Sequence, residues 1–297
     1  MLDFSRRQFL RSAVASATAI LAAGALERRR AWAADAPQAR IQLGLVTYMW
    51  GADLDLPTLL ETCEKGNLAG VELRTGHKHG VELNLNPAQR AEVRKRFAAS
   101  PVKMVGIGSA EEFHSPDPKK LAKAIENTKG YVKLSHDVGG SGVKVRPNDL
   151  PKGVPADKTI EQIGKSLNVV AEFAADYQQQ IRLEVHGGCA RLPIIKQIMD
   201  VATHPNVGVC WNSNNSDLDP PGLEHNFNLV KNRLGATAHV KALDAYPFAE
   251  LMKLFVGAGF GGWWLIEAGG KPPADRVQAF GRLRQQFDKL LSAAQTG

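Results

Sequence analysis

The chain has 297 residues, 44% of them hydrophobic, enough to bury the core of one large α/β domain or two ordinary ones. Its net charge of +7 is unevenly placed: six arginines against Asp3 and Glu27 give residues 1–33 a charge of +4, which leaves +3 for the rest. A surplus that small gives no basis for a nucleic-acid or membrane-surface partner, and three cysteines are too few for a disulfide framework.

The first predicted element is an export signal over residues 1–33. Ser5-Arg6-Arg7-Gln8-Phe9-Leu10 matches the twin-arginine motif, an Ala-rich apolar run covers residues 12–26, and Ala31-Trp32-Ala33 offers a small-x-small cleavage site. The competing reading is a membrane anchor, but a run of about 15 residues is short for a spanning helix, which needs roughly 20. Arg28–Arg30 beside the cleavage site are untypical of a leader. The expectation is therefore an exported, periplasmic protein with no stable membrane span once the leader is removed. Twin-arginine export carries proteins that have already folded.

From residue 41 onward, short β-rich runs alternate with longer stretches of helical period. Strands are predicted over residues 42–49, 70–73, 103–108, 142–145, 182–185, 207–211, 236–240 and 263–267. Helices are predicted over 57–65, 87–99, 118–137, 157–177, 193–202, 246–257 and 273–294, several opening on Pro or Asp as an N-terminus requires. About eight strand–helix units in some 255 residues is the rhythm of a (β/α)8 barrel. A doubly wound open sheet is the rival, but it usually carries a glycine-rich nucleotide turn after its first strand, and none follows Met49. No linker or repeat divides residues 41–297, which read as one domain. Cys210 falls in an apolar strand as a small core residue, and a Cys189–Cys210 bridge is an open option because both lie near adjacent strand ends.

The ends of the last four strands carry the chemistry. Ile181-Arg-Leu-Glu184-Val-His186 ends on a carboxylate and an imidazole, residues 207–211 run into Asn212, 236–238 into His239, and 263–266 into Glu267. In a closed barrel those ends converge on one side of a central cavity. Two carboxylates, an imidazole and an amide oxygen make a hard O/N donor set for one divalent ion: Mn²⁺, Mg²⁺, Co²⁺ or Zn²⁺. Taken singly, each residue reads as well as a local structural one. Four in register point to a site.

Polar residues at the other strand ends are candidates for binding substrate hydroxyls. They are His77 and His79 after strand two, His114 after strand three, Lys144 and Arg146 on strand four, and His186, two residues past Glu184 on the same side of its strand. Solvated loops are the competing reading for His77 and His79, and a salt bridge in the barrel mouth for Lys144 and Arg146. Trp50 and Trp211 stand at strand ends where a ring could stack on a bound ligand, although core packing explains an aromatic there nearly as well. Of Trp263 and Trp264, one must face the helices.

These strand ends resemble the xylose isomerase-like TIM-barrel family, which includes sugar isomerases and epimerases as well as endonuclease IV-type barrels. The resemblance spans essentially all of residues 41–297. Glu184 matches the first glutamate of the family's Glu, Asp, His, Glu metal set, His239-Val-Lys241 matches its His-x-Lys segment, and Glu267 matches the terminal glutamate. The Asp is replaced by Asn212 within Trp211-Asn-Ser-Asn-Asn215, and the Asp that commonly follows His-x-Lys is Ala242, with Asp244 nearby. An amide oxygen donates less charge, so a dication with Glu184 and Glu267 makes a formally neutral set where the family has one of −1.

The resemblance implies a metal-dependent isomerase or epimerase acting on a sugar or keto-sugar, and because sugar phosphates are scarce outside the cytoplasm the expectation for an exported enzyme is a neutral sugar or a 3-keto-glycoside. Glu184 and Glu267 then remove and return the proton α to the carbonyl through an enediolate. Lys241, Asn215 and Trp211 join the substrate-binding set. Proton abstraction from a keto-glycoside leads equally to β-elimination, so lyase activity stays open. An endonuclease IV-like phosphodiesterase is the second reading, opposed by Asn212 and Asn215 where further ligands are wanted. A non-catalytic sugar-binding barrel is the third, kept alive by Asn212. The expected partner is a small-molecule sugar and no nucleic acid, with self-association to a homo-oligomer left open.

Overall fold

A computed structural model describes residues 41–296, so the predicted leader lies outside the described residues. The elements alternate throughout: β1 Gln42–Val46, α1 Leu56–Lys65, β2 Gly70–Arg74, α2 Pro87–Ala98, β3 Lys103–Glu112, α3 Pro118–Val138, β4 Gly142–Arg146 and α4 Ala156–Asp176. They continue with β5 Gln180–Glu184, α5 Leu192–Val201, β6 Val207–Asn212, α6 Leu223–Asn228, β7 Leu234–Val240, α7 Phe248–Gly257, β8 Trp263–Ile266 and α8 Arg276–Thr296. The eight strands are parallel and close in chain order, with β8 paired to β1 from Gln42↔Trp263 to Leu45↔Ile266. Closure excludes the doubly wound alternative and makes this a (β/α)8 barrel.

Several helix starts follow local chemistry. Asp55 caps α1 by accepting from the Thr58 amide at 3.0 Å, Asn86 and Gln89 form a reciprocal capping box on α2, and Asp117 accepts from the Lys119 amide at 2.8 Å. Gly139 ends α3 at φ 90°, a left-handed cap that glycine takes without penalty.

The elements differ from the sequence-based expectation where tertiary contacts decide. β1 stops at Val46 because the chain turns into a loop after Thr47, whose amide still bonds Glu72 O at 3.0 Å. β3 runs to Glu112, four residues beyond the expected end, because after an irregularity Glu112 pairs with Arg146 of β4. α6 was not predicted; six residues carry too little periodicity to be read. α8 opens at Arg276 rather than residue 273, where Asp275 accepts from the Gln278 amide at 2.8 Å.

The core has two compartments. Between strands and helices lies a large apolar layer in which Trp211 packs on Phe227 and Phe255, and Trp264 on Phe248, Phe255 and Phe287. Inside the barrel sits a small cluster of Val46, Val105 and Leu265 with Trp263 against it, so the two adjacent tryptophans do face opposite ways. Below that cluster Arg182 is fully buried, donating to Gln180 Oε1 at 3.2 Å, Val105 O at 3.3 Å and Ser141 Oγ at 2.7 Å. Gly142 leaves room for it: a Cβ there would stand 2.9 Å from the guanidinium carbon. Cys63, Cys189 and Cys210 are buried free thiols, so the Cys189–Cys210 bridge does not form. Cys210 turns into the barrel, where Thr237 Oγ1 donates to its sulfur at 3.4 Å, whereas Cys189 lies in the turn beyond β5.

Candidate active site

Residue alternation along the strands aims Glu184, Asn212 and His239 into the barrel mouth. Asn212 and His239 are register partners, and the Glu267 amide donates to Val240 O at 2.7 Å just past β8. Glu184, His239 and Glu267 each offer one ligand atom, and these lie within 4.8 Å of one another. His239 Nδ1 stands 3.4 Å from Glu184 Oε1 and 3.7 Å from Glu267 Oε1. Its other nitrogen, Nε2, donates to Glu72 Oε1 at 2.9 Å, and both partners are fully buried.

Four buried atoms here have no hydrogen-bond partner: His239 Nδ1, Asn212 Oδ1, Glu72 Oε2 and Glu184 Oε2, the last of them met by the Lys144 ammonium as an ion pair. Leaving such atoms unsatisfied is costly unless something else binds them. The Asn212 Nδ2 group donates to Glu184 Oε1 at 3.0 Å and approaches Glu267 Oε2 at 3.5 Å. Turning the amide over would bring its oxygen to the same place. The donor set of Glu184, His239, Glu267 and that oxygen fits one divalent ion, and the His239–Glu72 bond is the outer support that a metal-binding imidazole ordinarily has.

The two glutamates stand in different fields. Burial alone would raise the Glu184 carboxyl, but the Lys144 ammonium 2.7 Å from its Oε2 and the His239 imidazole hold it well below the usual range. Burial raises Glu267, and the neighbouring charge of Glu184 adds to the rise against the pull of His239. Burial works against charge on His239 too, yet the neighbouring Cys210 sulfur and the carboxylates of Glu72 and Glu184 hold its imidazole well above the ordinary value. A cation bound at Nδ1 would take the place of that proton.

Above these groups opens a cavity of about 320 Å³. Lys144, Arg146, His186 and Lys241 line it, as do Tyr48, Arg74, Asn214 and Gly269. Lys144 is buried and held by Glu184 and Ser109 O, while Arg146 is paired with Glu112. His186 Nδ1 lies 2.9 Å from Asn148 Oδ1.

Residues 60–286 match the model of the xylose isomerase-like TIM barrel family. The chain belongs to that family. No curated protein matches its sequence. Solved structures of similar fold include the IolI protein with a bound zinc atom, at 16% identity and TM-score 0.70, over 85% of this chain and 98% of that one. An L-ribulose 3-epimerase aligns at 14% identity and TM-score 0.72, over 86% and 96%. The apo 3-keto-D-glucoside 4-epimerase YcjR from E. coli aligns at 12% identity and TM-score 0.68, over 85% and 100%.

Within this family frame, several residues expected at the substrate stand elsewhere. Trp211 is fully buried behind the barrel wall, because it alternates with Asn212 and so faces the helices. Asn215 is exposed at the start of a turn, and it is Asn214 that lines the cavity. His79 is committed to its own loop: Nε2 donates to Arg74 O at 2.9 Å and Nδ1 accepts from the Val81 amide at 3.0 Å. His77 lies outside the lining, held between Thr47 Oγ1 and Arg74, with burial and the Arg74 charge pushing it down to about 4. His114 also lies outside it, 3.6 Å from Glu112 Oε2. Trp50 packs near Phe280 and donates to Gly269 O at 3.2 Å.

Glu72 and Arg74, like Tyr48 and Asn214 of the cavity wall, were not among the candidates read from sequence. Glu72 was visible only as one more polar residue near strand two; its signal was an acid between apolar Val71 and Leu73, where a fully buried carboxylate needs a partner. Arg74 gave no such sign, since a strand-end arginine is ordinary.

Proposed function

We propose that this protein is a metal-dependent isomerase or epimerase of a sugar or keto-sugar. The observation that carries the reading is the meeting of Glu184, His239 and Glu267 beneath a polar cavity, with His239 Nδ1 buried and unpartnered. Glu184, His239, Glu267 and the Asn212 amide oxygen would hold one divalent ion. Bound there, it would polarise a substrate carbonyl and stabilise the charge that proton removal leaves on oxygen.

The chain's own residues supply the rest. One of Glu184 and Glu267 takes the proton from the carbon α to the carbonyl, and the C–H electron pair moves into an enediolate. The other glutamate delivers a proton to the opposite face, which inverts that carbon or, at the neighbouring carbon, moves the carbonyl. Glu72 fixes the ring of His239, and Lys144 fixes Glu184 from the cavity side. The family and the epimerases among the similar structures support this class of reaction; substrate and ion are left to experiment. From the same proton abstraction, a keto-glycoside could instead lose its aglycone, which a product analysis distinguishes.

One observation favours a second reading, a metal-free sugar-binding barrel. Lys144 and the Asn212 amide already compensate Glu184 from two sides. The test is metal analysis of protein purified without chelator, followed by incubation with keto-sugars in D2O. Stoichiometric metal with deuterium entering α to the carbonyl supports the isomerase; tight sugar binding with neither metal nor exchange supports the binder.

We also propose export through the twin-arginine pathway, on the strength of Arg6-Arg7, the apolar run and Ala31-Trp32-Ala33. Among the described residues no helix is long and apolar enough to cross a membrane. Fractionation of cells expressing the full chain, against an Arg6→Lys/Arg7→Lys variant, checks the route.

A further inference from the structure

The charges around the cavity are unbalanced in a way that bears on the substrate. Four cations line it, Arg74, Lys144, Arg146 and Lys241, against two carboxylates, Glu184 and Glu267. Lys144 is neutralised by Glu184 at 2.7 Å, and Arg146 by Glu112 from the neighbouring strand. Arg74 and Lys241 differ: among the described residues, neither has a carboxylate oxygen within 4.0 Å.

Arg74 is held rather than loose. Its guanidinium carbon sits 5.6 Å from the centre of the Tyr48 ring, a terminal nitrogen donates to His77 Nε2 at 3.4 Å, and its amide is 2.8 Å from Thr47 Oγ1. The neighbouring imidazole brings no negative charge. Lys241 stands at the end of β7, with its backbone amide bonded to Ser213 Oγ at 3.1 Å and its side chain left to the cavity and solvent. β7, β8, β1 and β2 are consecutive around the barrel, so the two cations bracket the stretch of wall that carries Glu267 and Tyr48.

We infer that the sugar carries an anionic group, a carboxylate or a phosphate, and that Arg74 and Lys241 receive it. This rests on the sugar-site reading above and adds the substrate's charge to it. A neutral sugar would offer the two cations only neutral oxygen acceptors and leave their charge uncompensated, whereas an anion makes the stronger charge-assisted bonds to them. A bound dication would draw on Glu184 and Glu267, the same carboxylates that offset the cavity's cations, so the field would become more positive while Arg74 and Lys241 still lacked a carboxylate partner.

The experiment is calorimetric titration of the full chain with D-fructose, D-fructuronate and D-fructose 6-phosphate, which differ only at C6, together with inorganic phosphate alone. At least one anionic sugar should bind about 10-fold more tightly than D-fructose at low ionic strength, with the preference shrinking at high salt. Arg74→Gln/Lys241→Gln should remove the preference while the circular dichroism melt stays that of the parent. The relative affinities of carboxylate and phosphate tell the two sources apart. Equal binding of D-fructose and both anions, or a preference that survives the double variant, overturns the inference and leaves the sugar site standing. Binding of phosphate to the parent but not the double variant, with no sugar binding, upholds the anion subsite and overturns the sugar reading. No binding by any probe overturns both.

Discussion

The barrel interior is polar at both ends, and the two ends treat their buried polar atoms in opposite ways. At the base, Arg182 is fully buried and its three kinds of nitrogen are all engaged, by Gln180, Val105 and Ser141. At the mouth, His239 and Asn212 are as deeply buried, yet Nδ1 of one and Oδ1 of the other have no partner. Burial is therefore not what marks the site. A satisfied network holds a barrel together, and an unsatisfied one among converging carboxylates is arranged for something that arrives later.

The sharpest way to break this contrast is at the mouth. Glu267→Gln should lower turnover of a keto-sugar by about 10²–10⁴-fold, the usual worth of a positioned acid or base, with the thermal melt unchanged. Turnover within a few-fold of the parent would remove Glu267 from proton transfer. At the base, Arg182→Met should act on stability instead. Removing one charge of a buried set costs about 3–5 kcal/mol, here because Glu72 loses a nearby positive charge and Ser141 and Gln180 lose a donor. Urea unfolding reads that loss, and a variant as stable as the parent would show the base network to be dispensable.

Glu72→Gln joins the two regions. It leaves the donor atoms in place but weakens the support of His239, and metal affinity should fall about 10–100-fold by calorimetry. An unchanged affinity would mean that the His239–Glu72 bond serves packing alone.

The smallest effect belongs to a buried acid outside both networks. Asp217 accepts from the Tyr246 hydroxyl at 3.0 Å and the Asn214 amide at 2.8 Å, and is pushed up to about 7 from an ordinary 3.8, chiefly by burial. The folded chain then keeps this proton over an interval in which the unfolded chain has lost it. Its contribution to stability is full below about pH 4 and is lost as pH rises through about 7. Asp217→Asn should flatten that decline, so that the drop in Tm between about pH 5 and about pH 8 shrinks by a few degrees. An equal drop in both proteins would place the titration elsewhere.

Much of this was legible from residues alone because two periodicities were clean. The alternation of β-rich runs with amphipathic stretches exposed the eight units, and the polar residue closing each late strand exposed Glu184, Asn212, His239 and Glu267. The reading failed where direction rather than position mattered. Trp211 and Asn212 are adjacent, and a strand sends neighbours to opposite faces, so only the register showed the tryptophan to be wall and the amide to be site. His79 and Asn215 are polar residues in loops after strands, but loops carry no fixed period from which to infer whether a side chain reaches the cavity.

The sequence by itself determined the repeating strand–helix unit and the identity of the late-strand donors, since both are written in local periodicity and in residue chemistry. Tertiary structure alone decided what each donor meets. Glu72 reaches His239 across 167 positions of chain because closing β8 onto β1 brings the ends of β2 and β7 into one ring, and Lys144 reaches Glu184 across forty because β4 and β5 pair side by side. Contacts made by closure depend on register and curvature, which no local pattern encodes.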